Sequence, residues 1–206
     1  MRRPPNTREA QGGGAERVSP QHLPEVHIIG EIKWGVGFGA GVSCKWRIDH
    51  GKYWGVLEGL TDGHSQTAYG PEGAPAIWDH PFDVHYQTMS MQGWPKIIVQ
   101  IQQLDSYGQV SVIAHGFAHL PCTPGTHETV IPCWRAIGNQ EEELRAFFLD
   151  EYPVLLDEDL VFHKAPSHRH RLVTVPSGKI SIEVNVIARH FGDYSADQAQ
   201  QSASIL

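Results

Sequence analysis

Cysteines are scarce in this chain of 206 residues, and a long apolar run is missing. The three cysteines, Cys44, Cys122 and Cys133, match neither the CxxC pairs of zinc sites nor a dense disulfide framework. Their scarcity predicts a protein of a reducing, intracellular compartment. No segment approaches the roughly 18 apolar residues of a membrane span, and the first twenty residues lack the apolar core of a signal peptide. We therefore expect a soluble protein that is not exported by that route.

An excess of positive charge is also missing. The chain has 16 Lys and Arg against 23 Asp and Glu, which gives a formal net charge of -7 at pH 7. This balance opposes general attraction to nucleic acid and to anionic lipid, because both are polyanions. We expect no nucleic-acid partner.

Helical periodicity is confined to one short segment, 141–149, which reads EEELRAFFL. Acidic residues at its start suit the helix dipole, and Leu144, Phe147 and Phe148 share one stripe of the predicted helix. No other segment supplies the helix-length crossovers that a parallel α/β sheet requires. The sequence pattern therefore predicts a protein of the all-β class.

Alternation of apolar and polar residues, the pattern of a strand with one buried face, fills most of the remainder. The segments that show it are 26–32, 42–48, 53–57, 82–86, 97–102, 110–113, 117–120, 127–134, 170–175 and 180–186. We expect about eight of these segments to form strands, and the pattern predicts an antiparallel eight-stranded β-sandwich with one short helix and flexible termini. We expect one domain at 25–193, with flexible tails at 1–24 and 194–206, where large apolar residues are rare.

Tryptophan is abundant for a chain of this length. We expect most of the six tryptophans to fill the core and its two ends, and any exposed one to mark an interface.

Glycine recurs at every second position of 35–41, which contains the outline of a dinucleotide-binding fingerprint. That fingerprint works through the N-terminus of a following helix, and here an alternating strand follows instead. The segment is predicted to be a loop between two strands that binds no nucleotide cofactor.

Thirteen histidines raise the question of a metal site, most of all at His115, His119 and His127 with Cys122. On an extended strand His115 and His119 would lie about 13 Å apart, too far to share one ion, unless the chain turns at Gly116. Other sets that we weighed are His168 with His170, which lack a third ligand, and the acidic run Asp157, Glu158 and Asp159. No G-x-S-x-G elbow or recognisable nucleophilic cysteine occurs. We predict no catalytic, cofactor-binding or metal-ligating residue, and we do not expect an enzyme.

The ordered motifs of the chain resemble a C2-type sandwich and, more closely, the B9 domain-containing proteins. The residues that carry this resemblance are VHIIGEI at 26–32, CKW at 44–46, WDHPFDVHY at 78–86, QGWPKIIVQI at 92–101, LDSYG at 104–108, GFAHLPCTPGTHE at 116–128 and KISIEVNVIARHFGDY at 179–194. Together they cover nearly the whole predicted domain.

The resemblance implies a C2-like fold and a role as a non-catalytic scaffold at the base of the cilium. Proteins of this family are components of the Meckel syndrome complex of the ciliary transition zone, which is needed for cilium assembly and limits the entry of membrane proteins. The implied location is the cytoplasm and cytoskeleton, at the basal body and transition zone. The implied partners are other B9-domain proteins and members of that complex, with tubulin at the basal body and a weak membrane contact as further candidates.

The C2 resemblance also implies where calcium ligands would stand. The first calcium loop corresponds to 35–41, which contains no carboxylate, and the Asp-x-Asp positions are Gln103, Leu104 and Asp105. One carboxylate of the usual set remains, so calcium-triggered membrane docking is not expected. The alternative function is calcium-independent lipid binding, through Phe38 or nearby basic residues.

Overall fold

The computed structural model describes residues 23–71, 73–105, 107–149, 152–153, 155 and 172–192. In chain order the elements are β1 (Glu25–Val36), β2 (Val42–Asp49), β3 (Trp54–Gly59), β4 (Asp62–His64), β5 (Ala76–Thr88), β6 (Lys96–Leu104), β7 (Val110–His119), β8 (Gly125–Ala136), α1 (Gln140–Leu149) and β9 (Thr174–Arg189). Within the described residues, no helix is long and apolar enough to cross a membrane.

The nine strands form one antiparallel sheet in the order β3-β5-β1-β9-β8-β7-β6-β2-β4. The sheet curls so that β2 packs against β5. The Trp46 ring of β2 lies 5.5 Å from the Phe82 ring of β5, and the indole N–H of Trp78 donates to the Val42 carbonyl oxygen at 3.1 Å. The predicted all-β, C2-like architecture is confirmed, with its two layers made by one continuous sheet.

The division of the chain into strands differs from the sequence prediction in three places. Segments 110–113 and 117–120 belong to a single strand, β7, because Gly116 continues the ladder opposite Val99 and Cys133. The short strand β4 was not predicted, since its sequence Asp-Gly-His has no alternation. Of the predicted strand 170–175, Thr174 and Val175 begin β9, while 170 and 171 lie outside the described residues. The described residues therefore contain nine strands where eight were expected.

The inner face of the curled sheet is the hydrophobic core. Apolar residues at alternate positions of each strand point into it, and in β9 they are Ile180, Ile182, Val184 and Val186. Burying a side chain of this size stabilises the fold by roughly 1.5–3 kcal/mol. Trp46, Trp54 and Trp78 are buried, while Trp34, Trp94 and Trp134 are partly exposed. The tryptophans thus lie in and around the core, as predicted.

A smaller apolar cluster covers part of the outer face of β6, β7 and β8. Ile98 is buried there, and four partly buried residues pack against it: Phe117, Trp134, Leu155 and Leu172. Leu155 and Leu172, which follow α1 in the sequence, therefore lie against this face of the sheet.

The two edge strands, β3 and β4, are consecutive in sequence. Residues Leu60 and Thr61 connect them, and the Thr61 carbonyl oxygen accepts a hydrogen bond from the Ile48 N–H at 2.6 Å. The two free edges of the sheet therefore lie at one corner of the molecule, where the curled sheet comes nearest to closing.

Candidate functional site

The loop that would bind calcium in a C2 domain is held together by the protein itself. Gly37, Gly39 and Gly41 have φ angles of 90°, 81° and 71°, which glycine adopts without strain. The side-chain amide of Gln103 donates to the Ala40 carbonyl oxygen at 3.4 Å, at the position where a calcium ligand would stand. Residues 37–41 form the predicted loop between two strands, while Gly35 and Val36 belong to the end of β1.

Asp105, the remaining carboxylate, closes its own turn. Its Oδ1 accepts hydrogen bonds from the N–H groups of Tyr107 and Gln109, both at 2.8 Å. Within the described residues, no three His, Cys, Asp or Glu side chains are close enough to share a metal ion. That the functional protein binds no metal or cofactor stays a prediction.

Phe38, the contact named for the alternative of calcium-independent lipid binding, is only 7% exposed. Its ring lies against two glycines: a Cβ added to Gly35 would meet it at 3.0 Å, and one added to Gly178 at 2.8 Å. The missing side chains at these glycines make the space that the ring fills. Calcium-independent lipid binding therefore loses its best apolar contact.

The histidines weighed as metal ligands do not converge. His115 stacks on Trp134 with 5.3 Å between ring centroids, and His119 packs edge-on against Phe117 at 6.3 Å. The His127 Nε2 lies 2.9 Å from the Thr123 carbonyl oxygen. Residues 157–159, 168 and 170 lie outside the described residues.

The cysteines divide into two environments. Cys44 and Cys133 are buried in the core, and Cys122 is exposed; none forms a disulfide. Burial raises the pKa of Cys133 to about 12 and also raises that of Cys44 far above its ordinary value. Since the thiolate is the reactive form, the two core thiols are poor nucleophiles.

A hydrogen-bonded group that the sequence did not reveal lies at the β4 edge. His64 Nε2 is 2.9 Å from Gln102 Oε1 and 3.4 Å from Ser43 Oγ, while His64 Nδ1 is 2.8 Å from the Ser65 carbonyl oxygen. Next to it, the buried hydroxyl of Ser65 accepts the Cys44 N–H at 2.9 Å. The residues come from three strands, so no sequence spacing could indicate the group. Its contacts join β4 to β2 and β6.

The opposite end of the sandwich carries an open groove of about 540 Å³, lined by residues that include Asp49, His50, Met91, Trp94, Lys96 and His119. Beside it, the Trp54 and Trp94 rings meet edge to face at 5.0 Å, and the Lys96 ammonium lies 3.1 Å from the Asp49 carboxylate. Behind it, the Tyr86 hydroxyl is buried and has no hydrogen-bond partner among the described residues, and burial raises its pKa.

Apolar exposure is concentrated at the β3 edge, which we define as residues 53–60. Four large apolar side chains there are 40% to 73% exposed, and Met89 and Met91 lie exposed on the loop after β5. The four are Tyr53, Val56, Leu57 and Leu60. Among the described strands, β3 is hydrogen-bonded to β5 alone. An edge with these properties is suited to contact with another protein.

Helix α1 presents a second apolar surface. Asn139 and Glu142 cap its start reciprocally, at 2.8 and 2.9 Å, and Arg135 holds Glu143 through two hydrogen bonds of 3.0 Å. Ala146 is buried, whereas Leu144, Phe147 and Phe148 are exposed, with the two phenylalanine rings 5.0 Å apart. The predicted stripe therefore faces away from the core.

The geometry defines a C2-like β-sandwich with a calcium-loop region closed by its own hydrogen bonds, an apolar sheet edge and an exposed aromatic pair. The sequence profile of the B9-C2 family, described as ciliary basal body-associated B9 protein, matches residues 26–187. The chain belongs to this ciliary family.

Individual relatives agree with this assignment. The chain is 36% identical to B9 domain-containing protein 2 of Rattus norvegicus and of Homo sapiens, over 85% of this chain and 99% of each relative. Among solved structures, the first of the C2 domains of plant Extended Synaptotagmin 1, its domain A, matches with a TM-score of 0.40 and 11% identity, over 80% of this chain and 94% of that one.

Proposed function

We propose that this protein is a non-catalytic scaffold component of the Meckel syndrome complex at the ciliary transition zone. In this role it assembles with other B9-domain proteins, supports formation of the cilium and limits the entry of membrane proteins. The observation that carries the proposal is the family match across residues 26–187, which spans nearly all of the sandwich.

The surface of the molecule supports an assembly role. The β3 edge offers backbone donors and acceptors together with apolar side chains, and α1 adds Phe147 and Phe148, which are 79% and 74% exposed. Large exposed aromatic residues are frequent anchors of protein interfaces. A contact with tubulin at the basal body is a further part of the proposal, on the ground of the family's described association with basal bodies.

Affinity capture from ciliated cells tests the assembly role. A tagged copy should recover other B9-domain proteins, identified by mass spectrometry, while a tagged C2 domain from an unrelated protein serves as the control. Removal of the protein should shorten or abolish cilia and admit membrane proteins that the cilium normally excludes. Recovery of no B9-domain protein, together with normal cilia after removal, would refute the proposal.

Calcium-independent lipid binding is the alternative function. The burial of Phe38 disfavours it, and the acidic net charge of -7 opposes anionic membranes. Sedimentation with phosphatidylserine vesicles, with and without calcium, separates the two functions. We expect the protein to stay in the supernatant in both cases, and strong sedimentation would favour the lipid function.

A further inference from the structure

A small pocket of about 200 Å³ lies on the outer face of the sheet, where β2 meets β4 and β6. It shares no lining residue with the 540 Å³ groove. Its lining includes Lys45 and Arg47 of β2, Asp62 of β4, and Ile98 and Gln100 of β6.

Two cations stand on one side of this pocket. Lys45 and Arg47 alternate on β2 with buried core residues, so both side chains leave the outer face of the sheet. Residues two apart on a strand are about 7 Å from each other, which lets two long side chains meet at one ligand. Neither cation has an ion-pair partner among the described residues. Asp62 stands opposite Arg47 in the register, yet the two form no ion pair.

The base of the pocket is fixed by strand pairing. Ile98 and Gln100 stand opposite Arg47 and Lys45 in the β2–β6 ladder, and they are 3% and 7% exposed. The cations are exposed, so they lie at the open side of a base that is closed to water. Solvent ions screen a charge contact against such a base less than one on an open surface.

The charges of the lining select an anion. Two cations and one carboxylate give these residues a net charge of +1, opposite in sign to the -7 of the whole chain. A guanidinium donates to two oxygens at once, and an ammonium beside it acts as a point charge. This combination fits the three oxygens of a phosphate monoester. A carboxylate has two oxygens, which the guanidinium alone satisfies.

The surroundings favour a phosphate on a protein over one in a membrane. An anionic membrane presents many charges over a broad area, where the net charge of -7 and the Asp62 carboxylate oppose it. A phosphorylated side chain brings a charge of about -2 to the two cations alone. The volume of about 200 Å³ is below the roughly 300–1,000 Å³ of pockets for whole small molecules, and it suits one modified side chain.

We propose that the pocket of Lys45 and Arg47 binds a phosphorylated serine, threonine or tyrosine of a partner protein, with the phosphate held between the two cations. The choice of a protein as the partner rests on the proposed role in assembly. The contact forms only while the partner is phosphorylated, so a kinase and a phosphatase control it.

Fluorescence anisotropy with labelled peptide libraries tests the proposal on the full chain. Each library has one fixed phosphoserine, phosphothreonine or phosphotyrosine between randomised flanks, and its unphosphorylated copy is the reference. We expect at least one phosphorylated library to bind about tenfold more tightly than its reference, because hydrogen bonds to charged groups are strong. Inorganic phosphate should compete with that library.

Four variants test the assigned residues, with circular dichroism to check that each is folded. Lys45→Ala and Arg47→Ala should each weaken phosphate-dependent binding about tenfold. Arg47→Lys should weaken it by about threefold, because the charge remains while the paired donors are lost. Asp62→Asn should strengthen binding, since it removes a carboxylate from the lining. Lys179→Ala, at an exposed cation of β9, is the matched control and should leave binding unchanged.

Three results overturn the proposal. The first is that no library binds, or that phosphorylated and unphosphorylated copies bind equally. The second is phosphate-dependent binding that K45A and R47A leave unchanged. The third is sedimentation with vesicles of phosphatidylcholine and phosphatidylinositol 4,5-bisphosphate that K45A abolishes while no library binds, which would show a membrane site.

Failure of this inference and failure of the proposed function are distinguishable. If no library binds and the wild type still captures other B9-domain proteins, the pocket is refuted and the assembly role stands. If a phosphorylated library binds through Lys45 and Arg47 and no B9-domain protein is captured, the pocket stands and the assembly role is refuted.

Discussion

The two edges of the sheet differ in length and in the exposure and hydrogen bonding of their side chains. The β4 edge is three residues long, and its polar side chains are joined to β2 and β6 through His64, Gln102 and Ser43. The β3 edge is twice as long, with exposed apolar side chains and a register shift between Val56 and Glu58. Natural sheets protect edges that must not associate, through short strands and polar groups. The difference indicates that only the β3 edge is available to a partner strand.

Two glycine substitutions test this comparison with the largest expected effect. A Cβ on Gly63 of the β4 edge would lie 2.8 Å from the buried Trp46 ring, whereas one on Gly55 of the β3 edge has open space. Gly63→Ala should therefore reduce the free energy of unfolding by about 1–3 kcal/mol, as other overpacked sites do. Gly55→Ala should change it by no more than about 0.5 kcal/mol. Urea unfolding measures both, and an equal loss at the two sites would contradict the contrast.

Ser65→Ala tests whether hydrogen bonding closes the β4 side. The substitution leaves the buried Cys44 N–H without the Ser65 hydroxyl, its acceptor at 2.9 Å. We expect a loss of about 1.5 kcal/mol in unfolding free energy. Leu57→Ser on the β3 edge is the matched control, because its half-exposed side chain contributes little to folding and should cost within about 0.5 kcal/mol. If Leu57→Ser proves the more costly variant, the β3 edge is packed rather than open.

Tyr86→Phe tests the residue that lies behind the β3 edge, opposite Val56 in the sheet. In the part of the chain that the structure describes, the buried Tyr86 hydroxyl has no hydrogen-bond partner, so its removal eliminates a desolvation cost that no hydrogen bond offsets. We expect the free energy of unfolding to rise by up to about 1 kcal/mol, because a buried unsatisfied polar group destabilises the folded state. Thermal and urea unfolding measure the change. A clear loss of stability would show that the hydroxyl has a partner in solution.

The smallest effect is a pH dependence on the β4 side. Burial lowers the pKa of His80 from its ordinary value of 6.5, and the nearby His64 lowers it further. Below pH 6.5 the unfolded chain therefore binds a proton that the folded chain does not yet bind. Stability should decline as the pH falls from 6.5 toward the lower folded value, and it should be regained on the return to neutral pH.

His80→Gln should flatten this decline, as measured by urea unfolding from about pH 7 to about pH 5. His127→Gln, near the start of β8, is the control and should leave the profile as it is in the wild type. If His80→Gln leaves the dependence of unfolding free energy on pH unchanged, another group causes the loss of stability in acid.

Much of the fold follows from local patterns. Alternation in segments such as 180–186 predicts a strand with one buried face, and it also identifies which side chains enter the core. The acidic start of 141–149 predicts α1. The motif order from 26 to 194 supplies the family, which the match over 26–187 confirms. The presence of Gln103 at a position where C2 domains have a calcium ligand could also be predicted from the sequence, because the prediction depends only on residue identity.

Other features depend on contacts between distant parts of the chain. Leu144, Phe147 and Phe148 form an apolar stripe by spacing, yet in the folded protein Ala146 is buried and the stripe is exposed. Phe38 stands in a glycine-rich loop that suggested exposure, yet its ring fills the space beside Gly35 and Gly178. In each case the partner lies on another element, so local periodicity carries no information about it.

Residue identity and a two-residue period are enough to predict the all-β class, the core face of each long strand, the missing carboxylates of the first loop and the family. All of these are local properties of the chain. The choice of β3 and β4 as the two edges, the closure of β4 by His64 and Ser65, and the opening of β3 to a partner all depend on the folded sheet. This is because a backbone group is paired or unpaired only once the curled sheet has brought strands together from distant positions in the chain.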